Sequence, residues 1–153
     1  MSPLFSPWPC FSEEEGDAVK AVLLSNRVNY WTGEECSKFE EEFASFAGSK
    51  YAIAVANGTL ALDLAMVALG LGHHAENFDG TKDEVIVTPR TFIASISTIV
   101  NAGARPIFAD IDPETQNITA KSIEKVITSR TKAIVCVHLA GMPCEMDEII
   151  KLV

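Results

Sequence analysis

No two cysteines stand at C-x-x-C spacing, and the three histidines, His73, His74 and His138, supply no second half of a zinc signature. The four thiols, Cys10, Cys36, Cys136 and Cys144, therefore read as reduced, mostly buried and cytosolic, and no metal site is expected. Basic residues are also scarce. With 12 Lys+Arg against 21 Asp+Glu the chain carries a net charge of −9, which repels nucleic acid and anionic membrane over most of its surface. No apolar run reaches membrane-spanning length, and the opening MSPLFSPWPCFSEEE has neither a basic n-region nor an unbroken apolar stretch. These absences point to a cytoplasmic protein whose partners are small metabolites.

What is present is a globular composition, with 48% hydrophobic residues in 153. Ser12 and Glu15 form a capping-box signature ahead of Val19, Val22 and Leu23 at helical spacing, which predicts a helix from the low teens to Leu24. SNRVNYWTG (25–33) has two aromatics and no period, and reads as a loop. In the segment that follows, Phe39, Phe43 and Phe46 share one face of a second helix that Gly48 can close.

From residue 51 the pattern turns regular. YAIAVA (51–56), DEVIVTP (83–89), RPIFADI (105–111) and AIVCVHL (133–139) are short β-rich runs, and helical segments begin near Thr59, Phe92, Thr119 and Cys144. Four strand-helix alternations predict a parallel sheet with helices on both faces, whose ligands bind beyond the carboxyl ends of the strands. HHAENFDGTK (73–82) reads as a polar surface loop. The helix LALDLAMVALGLG carries one charge, Asp63, in more than three turns, so it must be buried on several sides by a larger domain or a subunit interface. MPCEMDEIIKLV begins as a helix and stops without a capping residue, so the chain reads as cut off.

The βα loops hold the candidate chemistry. Asn57-Gly58-Thr59 opens a helix whose first amides, backed by the helix dipole, form an anion site suited to phosphate; an ordinary N-capped helix has the same composition. Phe92 follows the next strand, where its ring either stacks on a flat cofactor or packs as a staple on its own helix. Asp110, Asp112 and His138 follow the later strands and read as local caps and a satisfied structural histidine.

Four ordered blocks, FEEEFASFAGSKYAIAVANGTLALDLA, VIVTPRTFIAS, GARPIFADIDPETQNI and TKAIVCVHLAGMPCEMDEI, together resemble the pyridoxal-phosphate (PLP)-dependent sugar aminotransferases of the DegT/DnrJ/StrS group. The resemblance implies fold type I, a three-layer α/β/α domain with a mostly parallel sheet. It covers under half of a family member, so residues 1–33 correspond to an N-terminal helix and an active-site-mouth loop, and 34–153 to part of the PLP-binding large domain. It assigns Gly58, Thr59 and the Leu60 amide to the phosphate, Phe92 to the pyridine ring of PLP or its amine form PMP, and Tyr30 and Trp31 to the substrate side.

The same resemblance implies a homodimer that aminates a nucleotide-linked keto sugar from a donor such as glutamate. A PMP-dependent sugar dehydratase, in which histidine replaces the family's lysine, is the alternative, as is a non-catalytic truncated product. The family's Schiff-base lysine and its pyridine-nitrogen aspartate match no residue of this chain, so no catalytic residue is assigned. The family's sheet also places three further strands between those matching 51–56 and 133–139, which predicts a gap.

Overall fold

The computed structural model describes residues 8–74 and 83–152. Contacts divide the chain into two compact units, one running to Ala54 and the other from Val55.

The first unit holds α1 (Glu13–Leu24) and α2 (Glu35–Ala47). The capping box forms as expected: Ser12 Oγ accepts from the Glu15 amide at 3.2 Å, and the Glu15 carboxylate accepts from the Ser12 amide at 2.7 Å. That hydrogen bond holds the Glu15 carboxyl below the usual carboxylate range. Gly48 closes α2 at φ +65°, a left-handed position that costs a residue with a Cβ about 1–2 kcal/mol. Phe39, Phe43 and Phe46 do line one face, with successive ring centroids 5.8 and 6.2 Å apart, yet all three are exposed and α2 buries only Ala44.

In the second unit β1 (Glu84–Val87) is the centre of a three-stranded parallel sheet, between β2 (Arg105–Phe108) and β3 (Thr131–Val135). Residues alternate between the faces as a strand requires. Val85 and Val87 point into a core with Met66, Leu71, Ile99, Ala102 and Ala104, so α3 (Gly58–Ala68) and α4 (Ala94–Asn101) cover that side. Ile86 points the other way, toward Ile118, Ile123, Cys144 and Ile149, where α5 (Ala120–Glu124) and α6 (Met146–Ile150) lie. The expected three-layer α/β/α arrangement is present.

β1 begins with a charge. Glu84 is buried, and its carboxylate accepts the Thr128 hydroxyl and both Nε and Nη2 of Arg130, at 3.0 and 2.7 Å. The Thr128 bond first, and Arg130 after it, hold the Glu84 carboxyl below the usual range. The turn before β3 is thereby pinned to the start of β1, where the Glu84 amide also donates to the Arg130 carbonyl at 2.9 Å.

Several expectations are corrected. The run 51–56 belongs to no ladder among the described residues, and Tyr51 and Ile53 stand exposed. The helix expected at Phe92 starts at Ala94, since Phe92 supplies the entering turn by accepting the Ser95 amide. The last helix starts at Met146, not Cys144, whose amide is committed to His138 Nδ1 at 3.0 Å, and it closes at Lys151. The thiols are not mostly buried: Cys10 and Cys36 are exposed, Cys136 is half-buried and Cys144 buried. Burial pushes the last two thiols up, which makes them poor nucleophiles.

The apolar helix expected at 60–71 is α3 with its following turn, and of its residues Met66 and Leu71 are buried while Leu60, Leu64, Val67 and Leu69 are exposed. Of the loop expected at 73–82, residues 75–82 lie outside the described residues; His73 and His74 end a short 3-10 turn, Gly72–His74. Among the described residues no helix is long and apolar enough to cross a membrane, and no cluster of three or more His, Cys, Asp or Glu side chains forms a metal-binding group.

Candidate active site

The amino ends of α3 and α4 share one rim. At their other ends, the His73 amide donates to the Ala102 carbonyl at 2.8 Å and the Gly72 amide to Asp83 Oδ2 at 2.9 Å, which anchors the end of α3 beside the end of α4 and the entrance to β1. The helices pack along each other through Met66, Ile99 and Ala102. They therefore run in the same direction. α4 starts where β1 leaves the sheet, so the 57–59 turn and Phe92 both lie beyond the carboxyl end of the parallel strands. Eleven and eight residues give helices of about 16 and 12 Å.

At the 57–59 turn, Asn57 is the N-cap of α3, extended at φ −166°, and its Oδ1 accepts the Leu60 amide at 3.0 Å. One of the first-turn donors is thereby satisfied within the chain. The amides of Gly58 and Thr59 have no acceptor among the described residues. Gly58 is the notable residue. Its φ is not in the left-handed region, and a Cβ built on it would meet nothing of this chain within 4 Å. Neither backbone strain nor packing within this chain accounts for glycine here, and the missing Cβ leaves the backbone open to close approach. Thr59 is half-buried beside it.

Phe92 is 66% exposed. Packing as a staple requires an apolar partner four residues after the N-cap; the N-cap is Ile93, and that partner position is Ser97. The staple reading fails on this geometry, and the ring face is free for another surface.

The remaining candidates on the rim are local structure. Asp110 Oδ1 accepts the Ile111 amide at 2.8 Å, and Asp112 Oδ1 accepts the amides of Glu114 and Thr115 at 3.0 and 2.8 Å. These amides, Thr115 first, hold the Asp112 carboxyl below its usual range. The buried Asn117 carboxamide, which sequence reasoning passed over, donates to the Met142 and Pro143 carbonyls and accepts the Leu139 amide, tying the loop after β3 to the one after β2.

In the first unit Tyr30 and Trp31 form an edge-to-face pair, with centroids 6.0 Å apart and planes at 88°. Asn29 Oδ1 accepts the amides of Trp31 and Thr32 and the Thr32 hydroxyl, which closes the loop and leaves the Trp31 ring 90% exposed. The Asn29 and Thr32 spacing carries this Asx turn in the sequence, although Asn29 stands there only as part of a loop.

Comparison with known proteins is consistent with this architecture. The model of the DegT/DnrJ/EryC1/StrS aminotransferase family matches residues 9–153. The aminotransferase from Psychrobacter cryohalolentis, solved by X-ray, superposes with a TM-score of 0.88 at 63% identity, over 97% of this chain and 35% of that one. GDP-perosamine synthase of Escherichia coli O157:H7 is 41% identical over 152 residues, 98% of this chain and 38% of that protein. The spore coat polysaccharide biosynthesis protein SpsC of Bacillus subtilis is 42% identical over 142 residues, 93% of this chain and 34% of that protein. The chain thus spans a little over a third of the length of these relatives, and its α/β/α layers are part of a fold-type-I domain. With the family's model matched over nearly its whole length, the chain belongs to the DegT/DnrJ/EryC1/StrS aminotransferase family.

Proposed function

We propose that this chain is the cofactor-gripping part of a sugar aminotransferase that uses PLP. The observation that carries the reading is the pair of uncommitted amides at Gly58 and Thr59, at the amino end of an eleven-residue helix in a chain of an aminotransferase family. Both amides donate to phosphate oxygens, with the helix dipole adding about 0.3–1 kcal/mol. The Thr59 hydroxyl adds a third donor. The Leu60 amide joins them only when Asn57 Oδ1 releases it, so its share is the smallest. Phe92 offers its exposed face to the pyridine ring on the same rim. Bound there, the cofactor supplies the electron sink that lets an amino group leave an amino acid and arrive at a keto carbon.

The substrates on this reading are a nucleotide-linked keto sugar and an amino-acid donor such as glutamate, with Tyr30 and Trp31 on the sugar side. A homodimer in the cytoplasm fits the reading, since the exposed Leu60, Leu64, Val67 and Leu69 of the α3 region need a cover. On the same reading residues 1–33 form the N-terminal helix and mouth loop, and 34–153 part of the large domain.

Titration of the chain with PLP is the test. Thr59→Val should weaken binding by about 1–2 kcal/mol, roughly 5–30-fold, while the amides remain. Phe92→Ala should cost about as much through lost stacking. Unchanged affinity in both variants would return the turn and the ring to structural roles.

A further inference from the structure

Glu40 on α2 is half-buried, and its two carboxylate oxygens are committed to different parts of the first unit. Oε2 accepts the Tyr30 hydroxyl at 3.1 Å, and Oε1 accepts the Ala54 amide at 2.8 Å. Glu41 and Glu42, next to it on the helix, are exposed, and their side chains bond nothing among the described residues. A carboxylate between two donors holds each by a charge-assisted bond, about twice as strong as a neutral one.

The two donors are not incidental. Tyr30 braces Trp31 edge-on in the aromatic loop. Ala54 belongs to the 51–56 segment, which has no ladder to hold it and which runs, three residues later, into Asn57. Without Glu40 the amide of that segment and the phenol of that loop lose their shared acceptor. The bond to Glu40 also raises the Tyr30 phenol above its usual range, with the carboxylate charge adding to the effect.

We propose that Glu40 is a positioning residue, fixing the Tyr30–Trp31 pair and the backbone at Ala54 through a single carboxylate. Its consequence for a bound ligand rests on the function proposed above; the bridge itself does not.

The test is made on the 153-residue chain, by amide exchange at Ala54 and by ultraviolet titration of Tyr30 in a Tyr51→Phe background. In Glu40→Ala the Ala54 amide should exchange about tenfold faster or more, and Tyr30 should titrate at lower pH. Glu40→Gln keeps one acceptor, so at least one of the two readouts should move. Tyr30→Phe, which leaves α2 intact, should loosen Trp31, read as lower fluorescence anisotropy in a Trp8→Phe background, while Ala54 exchange stays slow. If either readout is unchanged in Glu40→Ala, or if Trp31 is as ordered in Tyr30→Phe as in the parent, the proposal is overturned. Unchanged PLP affinity in both Thr59→Val and Phe92→Ala would remove the functional reading and leave these measurements as they stand.

Discussion

EVIV at 84–87 and YAIAVA at 51–56 both read as short β-rich runs, and the chain treats them oppositely. Val85, Ile86 and Val87 are fully buried between two parallel neighbours and two helical layers. Ile53 is 69% exposed and pairs with nothing in a sheet among the described residues. Both runs hold strand-forming Ile and Val, although alanines dilute the second; their neighbours differ far more. A short apolar run has the capacity to be a strand, but its hydrogen bonds and its burial come from other segments. Where they are lacking, single side-chain bonds such as that from the Ala54 amide to Glu40 take on the holding role.

The contrast can be sharpened by substitution. The largest effect is expected from Ile86→Ala, which opens a cavity on the α5–α6 side and should cost about 2–5 kcal/mol in urea unfolding. A loss below about 1 kcal/mol would mean that the sheet is far less tightly packed than the contrast requires.

Next comes Glu84, whose carboxyl is held below the usual range by Thr128 and Arg130. Its stabilisation is fully present above the ordinary glutamate value, about 4.3, and is lost as pH falls through the lower folded value. An acid-unfolding series should show this, with Glu84→Gln destabilised at neutral pH and its stability less sensitive to acid than the parent's.

Asn57→Ala removes the cap of α3 and should cost about 0.5–2 kcal/mol, with loss of helical ellipticity on heating. The smallest effect belongs to Ile53→Ala, within about 0.5 kcal/mol. A loss at Ile53 equal to that at Ile86 would break the comparison, because it would place the 51–56 run in a packed layer after all.

Much of this was open to reading in the residues. The capping box at Ser12, the glycine closure at Gly48 and the caps at Asn57 and Thr119 are local hydrogen-bond chemistry, and each forms as its residue types dictate. The alternation of β-rich and helical runs carried the layered parallel fold, and the four ordered blocks carried the family. Strand ends were less legible: ladders stop where a partner stops, so β1 ends at Val87 and β2 at Phe108, short of the apolar runs that contain them.

By itself, then, the order of residues determined where the side-chain-capped helices start, which faces are apolar, and that the turn at 57–59 has an anion-binding composition. Only the tertiary structure decided which apolar faces are covered, because burial needs a second surface that no local pattern contains. It also separated Glu40 from Glu41 and Glu42, three identical side chains in a row, since two donors from distant parts of the unit reach the first and none reaches the others. The same holds for Phe92, whose ring is left without a staple partner once the helix begins at Ala94 and puts Ser97 where an apolar residue would have to be.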